Sequence, residues 1–209
     1  MNPWQILDHP VVWEISRYAL DLGFSLYRKR VAVLHQWGLL SGGPSVVDIG
    51  CGIGSYARIT NGRYLGIDQN CRYIDYARRK HKGASRSFRC VDATTLVSEQ
   101  SRFDLALMVD FLHHLRDDQC VQLLKESSLL AESFVISFEP ITYQPNPVGR
   151  WIVEHDRGEH MRSLDELHRL FEVAQLDIVK SMELRLGPIN TRAILARRPG
   201  GERPANSDS

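Results

Sequence analysis

The chain has 209 residues, 43% of them hydrophobic, which is enough to bury the core of a single domain. Its formal net charge of +1, from 26 Lys and Arg against 25 Asp and Glu, leaves no strong field to draw it to nucleic acid or to an anionic membrane surface. No run of about eighteen apolar residues occurs, and Met1 to Asp8 lacks a basic start followed by an apolar stretch, so neither a membrane span nor a targeting leader is expected.

The cysteines Cys51, Cys71, Cys90 and Cys120 are widely spaced, with no Cys-x-x-Cys pair and no histidine at zinc-finger spacing. Reduced thiols in a cytoplasmic protein without a metal site are the expectation. Residues from about 10 to 40 read as two helices. In the first, Val11, Ile15, Tyr18 and Leu22 recur at helical spacing, with Asp8 placed to cap it and Gly23 to end it. Phe24, Tyr27, Val31, Leu34 and Trp37 continue the pattern in the second, before Gly42-Gly43-Pro44. Such an aromatic stripe serves either as core or as a wall folded over a ligand.

Val46-Val47-Asp48-Ile49 reads as a short buried strand, followed at once by Gly50, Gly52 and Gly54. Alternate glycines let the backbone turn sharply and approach a ligand where a Cβ would collide. A dinucleotide loop with Gly50 and Gly52 needs its third glycine at position 55, where this chain has Ser55. The run Val-Asp-Ile-Gly-Cys-Gly-Ile-Gly resembles instead the glycine-rich loop of the class I S-adenosylmethionine (SAM) dependent methyltransferases. That resemblance implies a small-molecule methyltransferase using SAM as cofactor, with the glycines around its methionine part and Asp48 facing the cationic sulfonium or ammonium group.

Tyr64-Leu65-Gly66-Ile67-Asp68 reads as the second strand after a short helix. Asp68 lies about twenty residues after Asp48, where a nucleoside-binding α/β unit places an acid for the ribose hydroxyls; a helix cap is the other reading. Gln69 follows where the resembled family often has an apolar residue against the adenine. Asn70 to Lys82 reads as a helix whose basic end, Arg78, Arg79, Lys80 and Lys82, is a solvated terminus favoured by the helix dipole. Ser87 to Val91 is a third strand leading to Asp92-Ala93. In the family these positions take the adenine amine and a ring nitrogen; otherwise Asp92 caps a helix over about 94–100.

Phe103 to Val109 is apolar enough for a central strand covered on both faces. It runs into Asp110-Phe111-Leu112-His113-His114-Leu115, similar to the family's fourth motif, which borders both cofactor and acceptor. His113 and His114 are candidate general bases because imidazole titrates near neutral pH; a structural role is equally open. Asp117 to Ala131 reads as a helix and Phe134 to Phe138 as the fifth strand.

The segment from Ile141 to Arg162 lacks clear regularity, yet carries Trp151 and a dense polar group of Glu154, His155, Asp156, Arg157, Glu159, His160 and Arg162. Some small-molecule and saccharide methyltransferases have a similar Asp-Arg-Gly-x-His-x-Arg-Ser run, so His155 and His160 join the catalytic candidates; a salt-bridged surface turn is the alternative. Ser163-Leu164-Asp165-Glu166 is a capping box for a helix with an apolar face of Leu164, Leu167, Leu170, Phe171 and Ala174. Leu176 to Leu184 and Thr191 to Ala196 read as a closing antiparallel hairpin.

Together these elements predict a seven-stranded, mostly parallel Rossmann-like α/β sheet with helices on both faces. Residues 1–44 form an N-terminal helical lid or substrate wall, 45–197 the SAM-binding domain, and 198–209 a disordered tail. The expected activity is methyl transfer to an oxygen, less readily a nitrogen, of a natural-product intermediate, sugar or lipid head group. Nucleic-acid substrates are disfavoured, since no Asn-Pro-Pro-Tyr type motif follows the fourth strand, and a monomer or homodimer is expected. A SAM-binding scaffold without catalysis is the rival, and a nicotinamide-dependent oxidoreductase is set back by Ser55 and the hairpin.

Overall fold

The computed structural model describes residues 9–15, 18, 25–93, 101–156 and 158–200. Seven strands form one sheet: β1 Val46–Ile49, β2 Tyr64–Asp68, β3 Arg86–Cys90, β4 Phe103–Val109, β5 Ala131–Pro140, β6 Asp177–Leu186 and β7 Ile189–Arg197. Their spatial order is β3-β2-β1-β4-β5-β7-β6. β1 to β5 are mutually parallel, while β7 runs antiparallel to both β5 and β6. This is the predicted α/β sheet with its closing hairpin. The chain winds outward from β1 to β3, then crosses back to β4, so the carboxyl ends of β1 and β4 flank a crevice.

The helices are α1 Leu26–Gln36, α2 Cys71–Lys80, α3 Asp117–Leu130, α4 Pro147–Glu154 and α5 Leu164–Val173; residues 10–15 are also helical. Alternate side chains of the central strand feed two cores. Ala106 and Met108 join the layer under α3 and α5, with Leu123, Leu124, Leu167 and Phe171. Leu105, Leu107 and Val109 join the layer under α1 and α2, with Val33, Leu34, Ile74 and Ala77. Each large side chain buried this way contributes about 1.5–3 kcal/mol, which explains why β4 is apolar almost throughout.

Local chemistry sets the helix ends. Asn70 caps α2 by accepting from the Arg72 and Tyr73 amides, and the predicted capping box at Ser163 and Glu166 opens α5. In place of the short helix expected after the glycine loop, residues 52–58 form successive turns. Gly52 and Gly54 have φ of 54° and 77°, outside helical geometry, and the local bonds run over three residues, as from Gly54 N to Cys51 O at 2.9 Å. The segment after β5 contains a helix that apolar periodicity alone did not reveal. Its signal was the pair Asn146-Pro147, an N-cap followed by a proline in the first turn.

The expectation of four reduced thiols is corrected, because Cys71 and Cys90 form a disulfide, leaving Cys51 and Cys120 as buried free thiols. No described helix is long and apolar enough to cross a membrane. The far part of the first predicted helix (Leu22 and Gly23), Phe24 at the start of the second, the helix predicted near 94–100 and the tail beyond 200 lie outside the described residues.

Candidate functional site

The glycine loop sits at the carboxyl end of β1 and is tied to the end of β2. Gly50 and Cys51 donate their amides to Ile67 O at 2.8 and 3.0 Å. A Cβ on Gly50 would stand 2.2 Å from Phe111 Cδ2, and one on Gly54 2.9 Å from Phe88 Cε1, so these two positions have room only for glycine. The Gly52 amide donates to Asp68 Oδ2 at 2.9 Å, and the Asn70 amide to Asp68 Oδ1 at 2.8 Å. Burial raises the Asp68 pKa, and these two amide bonds oppose the rise. A carboxylate has about four acceptor sites, so Asp68 keeps capacity for a ligand. Gln69 beside it is exposed, as is Asp92 just past β3, whereas Ala93 is buried. Val91 N donates to Asp68 O at 3.1 Å, which holds the ends of β2 and β3 side by side.

Asp48 requires a correction. Its side chain is 1% exposed and accepts the Tyr64 hydroxyl at 2.5 Å inside the layer beneath the loop, so it does not face a bound cation as expected. Strand alternation is the reason: Asp48 shares its face with Val46 and Tyr64, packed under α1 and α2. Burial lifts its carboxyl to about 7, with the Tyr64 bond opposing and the Asp68 charge adding to the rise.

Asp110, at the end of β4, has φ of 51°, a left-handed conformation uncommon for a residue with a Cβ. Arg30 of α1 holds it, with Nη2 2.6 Å from Asp110 Oδ1. Burial alone would lower the Arg30 pKa, but Asp110 and the Tyr56 hydroxyl raise it, so the guanidinium stays charged. Arg30 was absent from the sequence expectations because its helix was judged by its aromatic stripe, and a partner 80 residues away leaves no local signal. The N-terminal segment also reaches this face. Trp13 Nε1 is 3.9 Å from where a Gly52 Cβ would be, Trp13 stacks on Tyr73, and Glu14 bonds Lys80 and Tyr76.

The second half of the site surrounds His113. Glu139, at the end of β5, accepts the backbone amides of Phe111 and Leu112 through Oε1 at 3.0 and 2.9 Å, and faces His113 Nδ1 through Oε2 at 2.8 Å. On the other side of the ring, His113 Nε2 is 3.3 Å from Asp156 Oδ1. Burial by itself would lower the His113 pKa, but the bonds to Asp156 and Glu139 carry it up to about 10. For Asp156 too, burial works upward and is outweighed by His113, so its carboxyl lies below the usual range. His113 is therefore an imidazolium between two carboxylates, unsuited to accept a proton as a base. Glu139, just past the predicted fifth strand, is the member of this cluster that the sequence did not single out.

His114 is exposed and its ring centroid lies 4.3 Å from that of His113. The donor atoms of His113, His114 and Asp156 fall within 4.8 Å of one another. His160 joins them through its backbone, donating to His113 O at 3.0 Å, while the ring of His155 turns to Trp151, stacked at 4.7 Å with Nδ1 2.8 Å from Trp151 O. Arg162 is buried and structural: it donates to Leu112 O and Leu115 O and pairs with Asp117. The structure thus gathers Gly50, Gly52, Gly54, Asp68, Gln69 and Asp92 at one part of the crevice, and His113 and His114 with Asp156 at another. Backbone amides and carboxylates at successive strand ends suit a nucleoside joined to an amino-acid zwitterion.

Residues 46–131 match the family described as methyltransferase domain. Among solved structures, the magnesium protoporphyrin IX methyltransferase of Synechocystis PCC 6803 with bound S-adenosylhomocysteine (SAH) is similar at 19% identity over 80% of each chain, with a TM-score of 0.61. The mitomycin 7-O-methyltransferase MmcR is similar at 21% identity over 76% of this chain and 50% of its own, with a TM-score of 0.64. The N-methyltransferase NodS of Bradyrhizobium japonicum WM9 is similar at 17% identity over 83% of this chain and 96% of its own, with a TM-score of 0.65. No curated protein sequence matches. Residues 46–131 therefore carry a methyltransferase domain, set in a seven-stranded sheet whose fold these methyltransferase structures share.

Proposed function

We propose that this enzyme methylates an oxygen of a small molecule, such as a natural-product intermediate, a sugar or a lipid head group, in preference to a nitrogen. The observation that supports it is the exposed His114 beside the Asp156 carboxylate at the carboxyl end of β4. A hydroxyl must lose its proton to become a methyl ether, whereas a neutral amine can attack without a base, so a proton-accepting histidine at this place is of use chiefly to oxygen.

Bound SAM supplies a methyl group already activated on a sulfonium. In this reading Gly50, Gly52 and Gly54 cradle its methionine part, Asp68 holds the ribose, and Asp92 with the Ala93 amide receives the adenine, beside Gln69. Arg30 and Asp110 fix the floor between cofactor and acceptor. Asp156 orients the acceptor hydroxyl, and His114 takes the proton that the hydroxyl loses as its oxygen bonds the methyl. His113 keeps Asp156 in place. The described residues among 1–44 wall the cofactor, and those among 45–197 belong to the domain that binds it. Much of the rate comes from positioning, because the donor needs little further activation.

The test is to incubate the enzyme and SAM with hydroxylated metabolites and matched amines, following SAH and methylated product by mass spectrometry. O-methyl products, lost by about a hundredfold or more in His114→Ala at unchanged SAM affinity, are expected. Methylation of amines alone, or normal turnover by His114→Ala, rejects the reading.

A further inference from the structure

Helix α2 begins at Cys71, three residues after Asp68, and β3 ends at Cys90, two residues before Asp92. The Cys71–Cys90 disulfide therefore joins the loop that carries the ribose acid to the turn that carries the adenine acid. In the strand register Cys90 stands opposite Asp68 itself. Cys71 is exposed and Cys90 partly so, in contrast to the buried Cys51 and Cys120. A soluble thiol can reach this bond. When reduced, Cys71 occupies the first helical position of α2, where backbone N–H groups favour a thiolate and keep the pair able to exchange.

We propose that the Cys71–Cys90 disulfide is a reversible clamp on the adenosine half of the cofactor crevice, so that thiol–disulfide exchange at this bond sets SAM affinity. The proposal rests on the assignment of Asp68 and Asp92 to the adenosine. A thiolate of a dithiol reductant attacks the exposed Cys71 sulfur, the disulfide bond breaks, and Cys90 leaves as a thiolate that takes up a proton. The reductant's second thiolate then attacks the mixed disulfide and releases Cys71, so the protein gains two thiols and the reductant becomes a disulfide. Other contacts join the same elements: β3 pairs with β2, and Arg78 of α2 donates to Phe88 O through Nε and Nη2 at 3.1 and 2.8 Å. What is lost is the covalent restraint that holds the turn bearing Asp92 at a fixed distance from Asp68.

The experiment titrates the full chain calorimetrically with SAM, first oxidised and then reduced by dithiothreitol, with all four cysteines mapped by alkylation and mass spectrometry. Reduction is expected to weaken SAM binding by about tenfold, since the two acids are no longer pre-organised. Cys71→Ser should bind like the reduced protein and ignore dithiothreitol, and Cys90→Ser serves in the same way if the first variant misfolds by circular dichroism. Equal affinity in the two redox states of the wild type overturns the clamp while leaving the cofactor assignment intact. Free thiols at Cys71 and Cys90 in the oxidised protein also overturn it. No SAM binding in either state removes both the clamp and the assignment beneath it.

Discussion

His113 Nδ1 lies 2.8 Å from Glu139 Oε2, with both side chains buried at the carboxyl ends of neighbouring strands. With Asp156 on the far side of the ring, the two carboxylates outweigh the cost of burial and hold the imidazole charged to about pH 10. A group whose folded pKa is raised stabilises the fold fully below its unfolded pKa, near 6.5, and loses that contribution as pH rises through the folded value. His113→Asn is accordingly expected to be destabilised by about 3 kcal/mol near pH 6. That deficit should shrink between pH 6.5 and 10, as read by urea unfolding at several pH values. A pH-independent deficit would show that the ring contributes packing alone.

Asp48 has the same direction of shift and the same sign of pH dependence, in a lower window. Burial raises its carboxyl from 3.8 to about 7, so the native state binds this proton more tightly than the unfolded chain does. The folded state therefore loses stability as pH rises from about 4 to 7. Asp48→Asn keeps an acceptor for the Tyr64 hydroxyl and removes the buried charge. Its unfolding free energy relative to the wild type should climb across that window, by up to about 3–4 kcal/mol, and level off above pH 7.

The Arg30–Asp110 pair joins α1 to the end of β4 from a buried guanidinium. Asp110→Asn strands that charge and should cost about 2–4 kcal/mol in chemical denaturation. Arg30→Met combined with Asp110→Asn should recover part of the loss, because no unpaired charge remains; strict additivity of the two single changes would argue against direct coupling.

Gly158 lies against His113 so closely that a Cβ there would fall 2.0 Å from His113 Cδ2. The ring is held by carboxylates on both sides and has no free direction to yield. Gly158→Ala should destabilise the protein by about 1–3 kcal/mol and reduce methyl transfer while leaving SAM affinity near that of the wild type. An affinity loss as large as the activity loss would place Gly158 in the cofactor site instead.

The sheet was legible because its signals are local. The apolar run of β4, the turn residues after β1 and the capping box at Ser163 each specify their element through neighbours in the chain. The grouping of Gly50, Gly52, Gly54, Asp68 and Asp92 at one end of the sheet was legible for the same reason, since they lie at strand ends in sequence order. The cluster around His113 was only partly so. His113 and His114 were visible, but which of them carries a permanent proton depends on Glu139 and Asp156, 26 and 43 residues further along the chain and brought together only by folding. Asp48 shows the converse: its place in the motif was correct, and strand alternation turned its side chain into the core. The pairing of Cys71 with Cys90 follows from β2 and β3 being neighbours and α2 starting beside them, which spacing alone does not reveal.

The most direct measurement is calorimetric titration of wild type and Asp68→Ala with SAM, SAH and NADH. Micromolar binding of SAM and SAH, none of NADH, and affinity reduced at least about tenfold in a folded Asp68→Ala is the predicted result. A folded, ligand-free wild type that ignores SAM, or an Asp68→Ala variant that binds it fully, would contradict the placement of the cofactor at the ends of β1, β2 and β3.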